Sequence, residues 1–263
     1  MRSYLVLTRG NYMVGMMYRM GFLFTILGNV VYMGVAYYLW RSIYRHSETL
    51  RGLTFNETFL YIALGSAVFI LLKTYTDWFL SYEIREGIIT NYLIKPLDFQ
   101  LNILFGNFGS ILINLTGITA PTLILLFLVF RVPVTMGVGL ALFPISLFMA
   151  ILISFSFDFL IGLMAFYTES TWGLSMTKEI IVTVFSGALI PLQFFPDAIQ
   201  QVLLWLPFQA IYHTPLMMVT RPDLGLGVFI PMLRTQLIWV VVMFVLARLF
   251  YQQAIKVLRI SGG

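Results

Sequence analysis

The chain has 263 residues, of which 60% are hydrophobic and only 10% charged, where a soluble domain carries about 25% charged residues; one core of this size cannot hide so much apolar surface from water, but a bilayer can take it. Sixteen basic residues against eleven acidic leave a net charge of +5, a balance suited to an anionic lipid surface that gives no reason to invoke nucleic acid. There is no cysteine, which excludes disulfides, thiolate metal sites and a cysteine nucleophile.

Residues 1–19 space Arg2, Arg9 and Arg19 among Tyr4, Leu5, Leu7, Tyr12, Met13, Met16 and Met17. That pattern predicts an interfacial helix lying flat on the inner leaflet; Gly10 and Gly15 leave open a frayed start of the first span. Charge-free stretches then mark six spans: 20–40, 58–72 continuing to Leu80, 99–130, 132–157, 180–196 and 231–250, the last interrupted only by Arg234 and Arg248. About 20 apolar residues are needed to cross, and only the fifth stretch, which carries Pro191, is short. The first run lacks a small-residue cleavage site and is long enough to span, so it reads as a retained helix and not a signal peptide. After the fifth span the apolar segment 197–220, headed by Pro196, is broken by Pro207 and Pro215 and contains Gln200, Gln201, Gln209 and His213. Two half-length helices that dip in and return fit this pattern, since broken backbone at membrane depth must be satisfied by protein or water; a kinked seventh span is the alternative. The expected fold is all-α: a single transmembrane domain over 1–263, with a six-span bundle over 20–255 and a short cytoplasmic tail over 256–263.

Basic residues set the orientation. With the N-terminus inside, the inner segments hold Arg2, Arg9, Arg19, Arg85, Lys95, Lys178, Lys256 and Arg259; the outer ones hold Arg41, Arg45, Arg51, Arg131, Arg221 and Arg234. Both termini are therefore expected in the cytoplasm. Tyr37, Tyr38 and Trp40 close the first span at one interface, and Trp78 and Tyr82 close the second at the other, as aromatic belts do.

Catalytic signatures are missing. No G-x-x-x-x-G-K-[ST] loop is present to cradle nucleotide phosphates, and there is no H-E-x-x-H or G-x-S-x-G. His46 and His213 lack partners at metal-ligand spacing. The sequons at Asn56 and Asn114 read as chance, the second lying within a span. A lipid-modifying membrane enzyme would cluster His, Asp or Glu at one interface, and an ion-coupled secondary transporter would show two related halves; neither pattern is present.

The loop from Ser81 to Asp98 opens as a short amphipathic helix with Glu83, Arg85 and Glu86 exposed, and should end before Pro96, because the residue preceding a proline is disfavoured in helix. Such a helix between two spans is either a lever for a partner or a solvated loop. Further along, Tyr18-Arg19-Met20-Gly21-Phe22-Leu23, Leu39-Trp40-Arg41-Ser42-Ile43-Tyr44, Ile84-Arg85-Glu86-Gly87-Ile88, Leu93-Ile94-Lys95-Pro96, the segment Phe166 to Trp172, Ser186-Gly187-Ala188-Leu189-Ile190-Pro191, Phe195-Pro196 and Leu206-Pro207-Phe208 together resemble the type-2 ABC exporter permeases of the bacterial six-span branch. The resemblance runs from about residue 15 to residue 222 in the family's order; Ile94-Lys95-Pro96 departs from the commoner leucine-arginine-proline but keeps the charge. It implies two facing permease subunits in the inner (plasma) membrane, each docked on an ATP-binding cassette subunit that binds ATP and Mg, with no cofactor in this chain. The second permease would be identical or, more often in this branch, a related chain, giving a heterodimer. It also implies that Glu83, Ile84, Arg85, Glu86, Gly87, Thr90, Asn91 and Leu93 form the coupling helix, that the stretch after the fifth span is an outer re-entrant hairpin, and that the substrate is hydrophobic or amphiphilic: a lipid, drug, organic cation or peptide.

Charges inside spans are costly and mark function by default. Lys73 lies about 10 Å and Asp158 about 12 Å from the inner ends of the second and fourth spans, at 1.5 Å per residue. Their equal depth predicts an ion pair, with Asp77 as a rival partner for Lys73 one turn along the same helix. A polar opening onto the substrate path, or snorkelling of Lys73, are the other readings. Glu169 is expected either to cap a helix starting near Ser170 or to contact the ATPase or a gate.

Overall fold

The computed structural model describes residues 2–17 and 19–257; Tyr18, the Arg19 side chain, and Arg259 with the rest of 258–263 lie outside the described residues. The chain runs α1 (Arg2–Gly15), α2 (Arg19–Ile43), a two-strand hairpin β1 (Thr49–Leu50) and β2 (Leu53–Thr54), α3 (Phe55–Leu72), α4 (Thr76–Arg85), α5 (Thr90–Leu93), α6 (Phe99–Asn114), α7 (Ala120–Phe130), α8 (Val138–Leu163), α9 (Trp172–Phe185), α10 (Asp197–Trp205), α11 (His213–Thr220) and α12 (Leu226–Ala254). The protein is all-α apart from the antiparallel hairpin, in which Thr49 pairs with Thr54 and Leu50 with Leu53. The β-hairpin lies at one end of the bundle and the loop 86–97 at the other.

Five helical stretches are long and apolar enough to cross a membrane: Met20–His46, Phe55–Arg85, Phe99–Phe130, Val138–Phe166 and Leu226–Val257. The expected fifth span differs. Its helix, α9, has 14 residues, about 21 Å at 1.5 Å per residue, and starts at Trp172 instead of 180. Lys178, assigned from charge to a cytoplasmic loop, therefore lies inside the helix.

The second span is not continuous. It breaks at residues 73–75, where Tyr75 takes φ 55°. The break is satisfied by α6: Asn114 Nδ2 donates to the carbonyls of Ile70, Leu71 and Lys73 at 3.0, 3.3 and 3.2 Å, and Asn107 Nδ2 donates to the hydroxyls of Thr74 and Thr76, each at 2.6 Å. Two helical turns separate the amides, so they share a face. Outside the break, local signals set the ends. Thr54 and Glu57 form a reciprocal capping box at the start of α3, and Asp98 caps α6 by accepting from Leu101 N at 3.0 Å. Asp98 also pairs with Arg248 at 2.6 Å, tying α6 to α12.

The N-terminal helix packs against the bundle. It lies lengthwise along α6: the Tyr4 ring stacks on Phe105 at 5.0 Å, Tyr4 Oη accepts from Asp98 N at 3.0 Å, Thr8 Oγ1 donates to Phe105 O at 2.7 Å, and Asn11 Nδ2 donates to Gly106 O at 3.1 Å. Gly109 permits the approach, since a Cβ there would stand 2.7 Å from Thr8 O and from Asn11 Cβ. Helices in lipid pack through such small residues. The opposite face of α1, with Leu5, Val6, Met13 and Val14, is exposed.

Contacts trace the segment after α9. At the β-hairpin end, Asp197 at the start of α10 pairs with Arg51 at 2.9 Å. At the other end of α10, the Trp205 carbonyl accepts from Trp239 Nε1 at 3.1 Å, a level roughly 20 Å along α12 from Leu226. The chain turns there, with Ala210 O accepting from Gln236 Nε2 at 2.8 Å, and α11 returns to bring Arg221 to Glu57 at 3.4 Å. Pro196 precedes α10, Pro207 opens the turn, and Pro215 sits in the first turn of α11, so each proline occupies a position that needs no helical N–H.

Replacing Gly109 with Leu should release α1 from α6 while the rest of the bundle stays folded. Limited trypsin digestion of the detergent-purified protein should then cut faster after Arg9, with Gly109→Ala intermediate; equal rates in all three would show that the close packing does not hold α1.

Candidate functional site

Five charged side chains meet where the second span breaks. Lys73 ends α3, Asp77 lies in the first turn of α4, Asp158 is on α8, and Lys178 and Glu179 are consecutive on α9. Lys178 Nζ donates to Asp158 Oδ1 at 2.6 Å and to Asp77 Oδ2 at 3.0 Å. Lys73 Nζ donates to Glu179 Oε1 at 2.8 Å. The expected Lys73–Asp158 pair is therefore not formed, nor is the rival Lys73–Asp77 pair. All five residues line one cavity of about 60 Å³, but α9 inserts between the expected partners and supplies a counter-ion to each.

The two ion-pair sets differ in exposure. The side chains of Lys178, Asp77 and Asp158 are 16%, 4% and 10% exposed, whereas Lys73 and Glu179 are 34% and 33% exposed. The first set is a buried lock joining α4, α8 and α9; the second is half open. Asp77 is further fixed at the α4 N-terminus by accepting from Trp78 N at 3.0 Å, where the helix dipole favours an anion. Aromatic walls complete the cavity: Lys73 Nζ stands 5.2 Å from the Phe69 ring centre and 5.5 Å from that of Tyr75. Among the described residues no three His, Cys, Asp or Glu side chains form a metal-holding group.

From this cavity α4 leads to the loop 86–97. The expected continuous amphipathic helix is interrupted: Gly87 turns the chain at φ 70°, Ile89 N donates back to Glu83 O at 3.1 Å, and α5 adds one turn that stops at Leu93, before Pro96, as proline requires. Glu83 is buried, not exposed, and Ile84 is part of the core. The Tyr92 phenol is pushed up to about 12 by its burial and then by the Glu83 carboxylate. Arg85 is exposed, but its guanidinium is held, Nε donating to Ser81 O at 3.3 Å and Nη1 to Glu169 O at 3.0 Å. Thr90 Oγ1 closes the turn on Gly87 O at 2.8 Å. Glu86, Gly87, Asn91, Leu93 and Ile94 face outward, Ile94 being 81% exposed. Glu169 does not cap α9, which begins at Trp172 without a side-chain cap; its backbone serves Arg85 instead.

At the opposite end of α9 the chain turns at Ser186 and Gly187. Ser186 O accepts from His213 N at 3.1 Å, and the buried His213 ring lies with Nδ1 3.3 Å from Tyr61 Oη. A Cβ on Gly187 would stand 2.7 Å from that same hydroxyl. The turn therefore joins α9, α3 and α11.

Sequence reasoning missed Lys178 and Glu179 because the fifth span was started at the first charge-free residue, 180, which left both just outside it. The signal was available in the excess of buried-depth charges: Lys73, Asp77 and Asp158 carry a net negative charge that one further lysine at the same depth would balance.

A sequence profile for the family described as ABC-2 family transporter protein matches residues 30–262, most of the chain. The chain belongs to that family. It is a type-2 ABC permease, a membrane transport subunit of a kind that works with an ATP-binding cassette partner. No curated protein sequence matches it.

Removing Lys178 from this permease leaves two buried carboxylates unpaired. Lys178→Met should therefore cost about 3–5 kcal/mol, the usual loss when one partner of a buried pair is deleted. Adding Asp158→Asn should recover part of the loss in thermal unfolding of the purified protein. A double-mutant cycle should give strong coupling for Lys178 with Asp158 and none for Lys73 with Asp158; the reverse order would refute the arrangement.

Proposed function

We propose that this permease exports a hydrophobic or amphiphilic substrate from the cytoplasm or inner leaflet, driven by ATP hydrolysis in a separate subunit. The observation that carries the reading is the loop 86–97, which presents Leu93 and Ile94 uncovered at the tip of α4, while the other end of α4 is locked to α9 through Asp77 and Lys178. A partner gripping the loop pulls on α4. The lock passes that motion to α9, and the Ser186–His213 bond passes it to α11 at the far side. In this reading Glu83 and Ile84 anchor the coupling segment, Arg85 and Thr90 hold its shape, and Glu86, Gly87, Asn91 and Leu93 meet the ATPase, with Glu169 as a flanking contact.

The remaining features follow from the same orientation. The loop 86–97 and both termini face the cytoplasm across the inner membrane. The short α9 with its following turn completes a sixth crossing, and α10 and α11, with Pro196, Pro207 and Pro215, form an outer re-entrant hairpin. Two copies of the cassette subunit, carrying ATP and Mg, serve a pair of permeases, with a related second chain favoured over an identical one.

Leu93→Asp combined with Ile94→Asp should abolish co-purification of the cassette subunit and lower substrate-stimulated ATP turnover at least tenfold, with the thermal transition of the permease unchanged; retained assembly and turnover would exclude this loop as the docking element.

The chain's lack of cysteine permits a direct topology test. Cysteines placed singly at Ser47 and Asp223 should react with an impermeant thiol reagent added to intact cells, and one at Asn91 only after the membrane is opened. Labelling of Asn91→Cys in intact cells would invert the assigned orientation.

A further inference from the structure

The half-open part of the charged cavity already binds an alkylammonium ion, namely the end of Lys73. Its Nζ is held by the Glu179 carboxylate at 2.8 Å and faces the rings of Phe69 and Tyr75, the combination of one acid and aromatic faces that recognises organic cations. Lys73 sits beside the helix break on a flexible stem, and a third of the side chain is exposed, so the ammonium can leave without unfolding anything. Lys178 cannot, being enclosed by two acids. The charges facing the cavity are Asp77, Asp158 and Glu179 against Lys73 and Lys178, a residual of −1 that becomes −2 if Lys73 swings out.

A second compartment adjoins the first. Phe69 and Thr183 line both cavities. The second, of about 230 Å³, is otherwise walled mainly by Tyr32, Ile70, Ala188 and Leu189. An apolar cavity of about 150 Å³ is enough to hold benzene. Asn29 and Ser66 also line the second compartment, and the Ser66 hydroxyl is already paired, donating to Ala63 O at 2.8 Å.

We propose that the two compartments form one site for a cationic amphiphile, in which Lys73 is a tethered place-holder that the ammonium group of the substrate displaces. The cationic head takes the position against Glu179, Phe69 and Tyr75, and the hydrocarbon fills the adjoining compartment. An anionic amphiphile meets a surplus of carboxylates, and a neutral one gains nothing from the aromatic pair. This rests on the export reading for the physiological role of the site, but the binding itself is independent of that reading.

The test is equilibrium binding to the permease complex in lipid nanodiscs with three probes of equal chain length: hexyltrimethylammonium, hexyl sulfate and hexanol. The native complex should prefer the ammonium at least tenfold. Lys73→Gln, which removes the place-holder and keeps the acid, should tighten ammonium binding about tenfold, equivalent to about 1.4 kcal/mol, and leave hexanol unchanged. Lys73→Gln with Glu179→Gln should cancel the gain. Glu179→Gln alone should weaken ammonium binding, which supplies a reading if the Lys73 variant does not assemble. Equal binding of the three probes, or ammonium binding that is unchanged or weaker in Lys73→Gln, overturns the proposal. Loss of ammonium selectivity with cassette docking intact refutes this inference alone, whereas failed docking with selectivity intact refutes the export reading alone.

Discussion

A carbonyl freed from its helix at membrane depth has no water to turn to, and the break at residues 73–75 frees several at once. Asn114 answers with one amide nitrogen that reaches three carbonyls, and Asn107 holds the two threonines on either side of the strained Tyr75. Much else rests on that repair. The break sets α4 off from α3, which brings Asp77 to the start of a helix and to Lys178. It also ends α3 at Lys73, so that the ammonium reaches Glu179 from the helix terminus instead of from a regular helical face. Without the two asparagines the carbonyls and threonines of the break would lose the side-chain partners that make it tolerable.

The charged cluster and the loop are joined by α4, and this gives the molecule its mechanical logic. A ten-residue helix has one end in a buried ion-pair lock and the other in a turn whose apolar tip is left uncovered. The lock costs desolvation, and a buried ion pair is weak evidence of stability gain. Its value lies in geometry: Lys178 reaches both acids only while α4, α8 and α9 keep one arrangement. The partly exposed Lys73–Glu179 pair beside it has no such constraint.

How much of this was legible in the sequence depends on how local the cause was. The stop before Pro96 and the prolines of the α10–α11 segment are short-range effects, and the residues that produce them are adjacent in the chain. That Lys73 and Asp158 face one cavity was also approachable, because rise per residue fixes distance along a helix. Their partners were not, since nothing in a linear pattern says that α9 lies between α3 and α8. The packing of α1 along α6 was hidden for a similar reason. Its arginines and apolar residues describe an interfacial helix, and the feature that seats it, the notch at Gly106 and Gly109, lies on α6 about a hundred residues away. Glu83 looked like a surface charge because its neighbours Arg85 and Glu86 are; only the turn at Gly87, which folds Ile89 back onto it, encloses it.

The π-turn Leu115–Thr119 between α6 and α7 carries a further consequence. Each residue advances an α-helix by about 100°, and a π-turn accommodates one residue more than an α-turn. Past it, the buried residues of α7, Thr122 and Leu126, fall within about 20° of the direction of Asn114; in an uninterrupted helix they would be displaced by about 100°. The extra residue thus brings the two halves of the long helix into phase, so that one face serves both the repaired break and the core beyond it. Segment 115–119 is therefore fixed in length as strictly as a gear tooth is fixed in pitch: loss or gain of a single residue there would rotate one half away from its partners, although no residue of the segment touches the charged site.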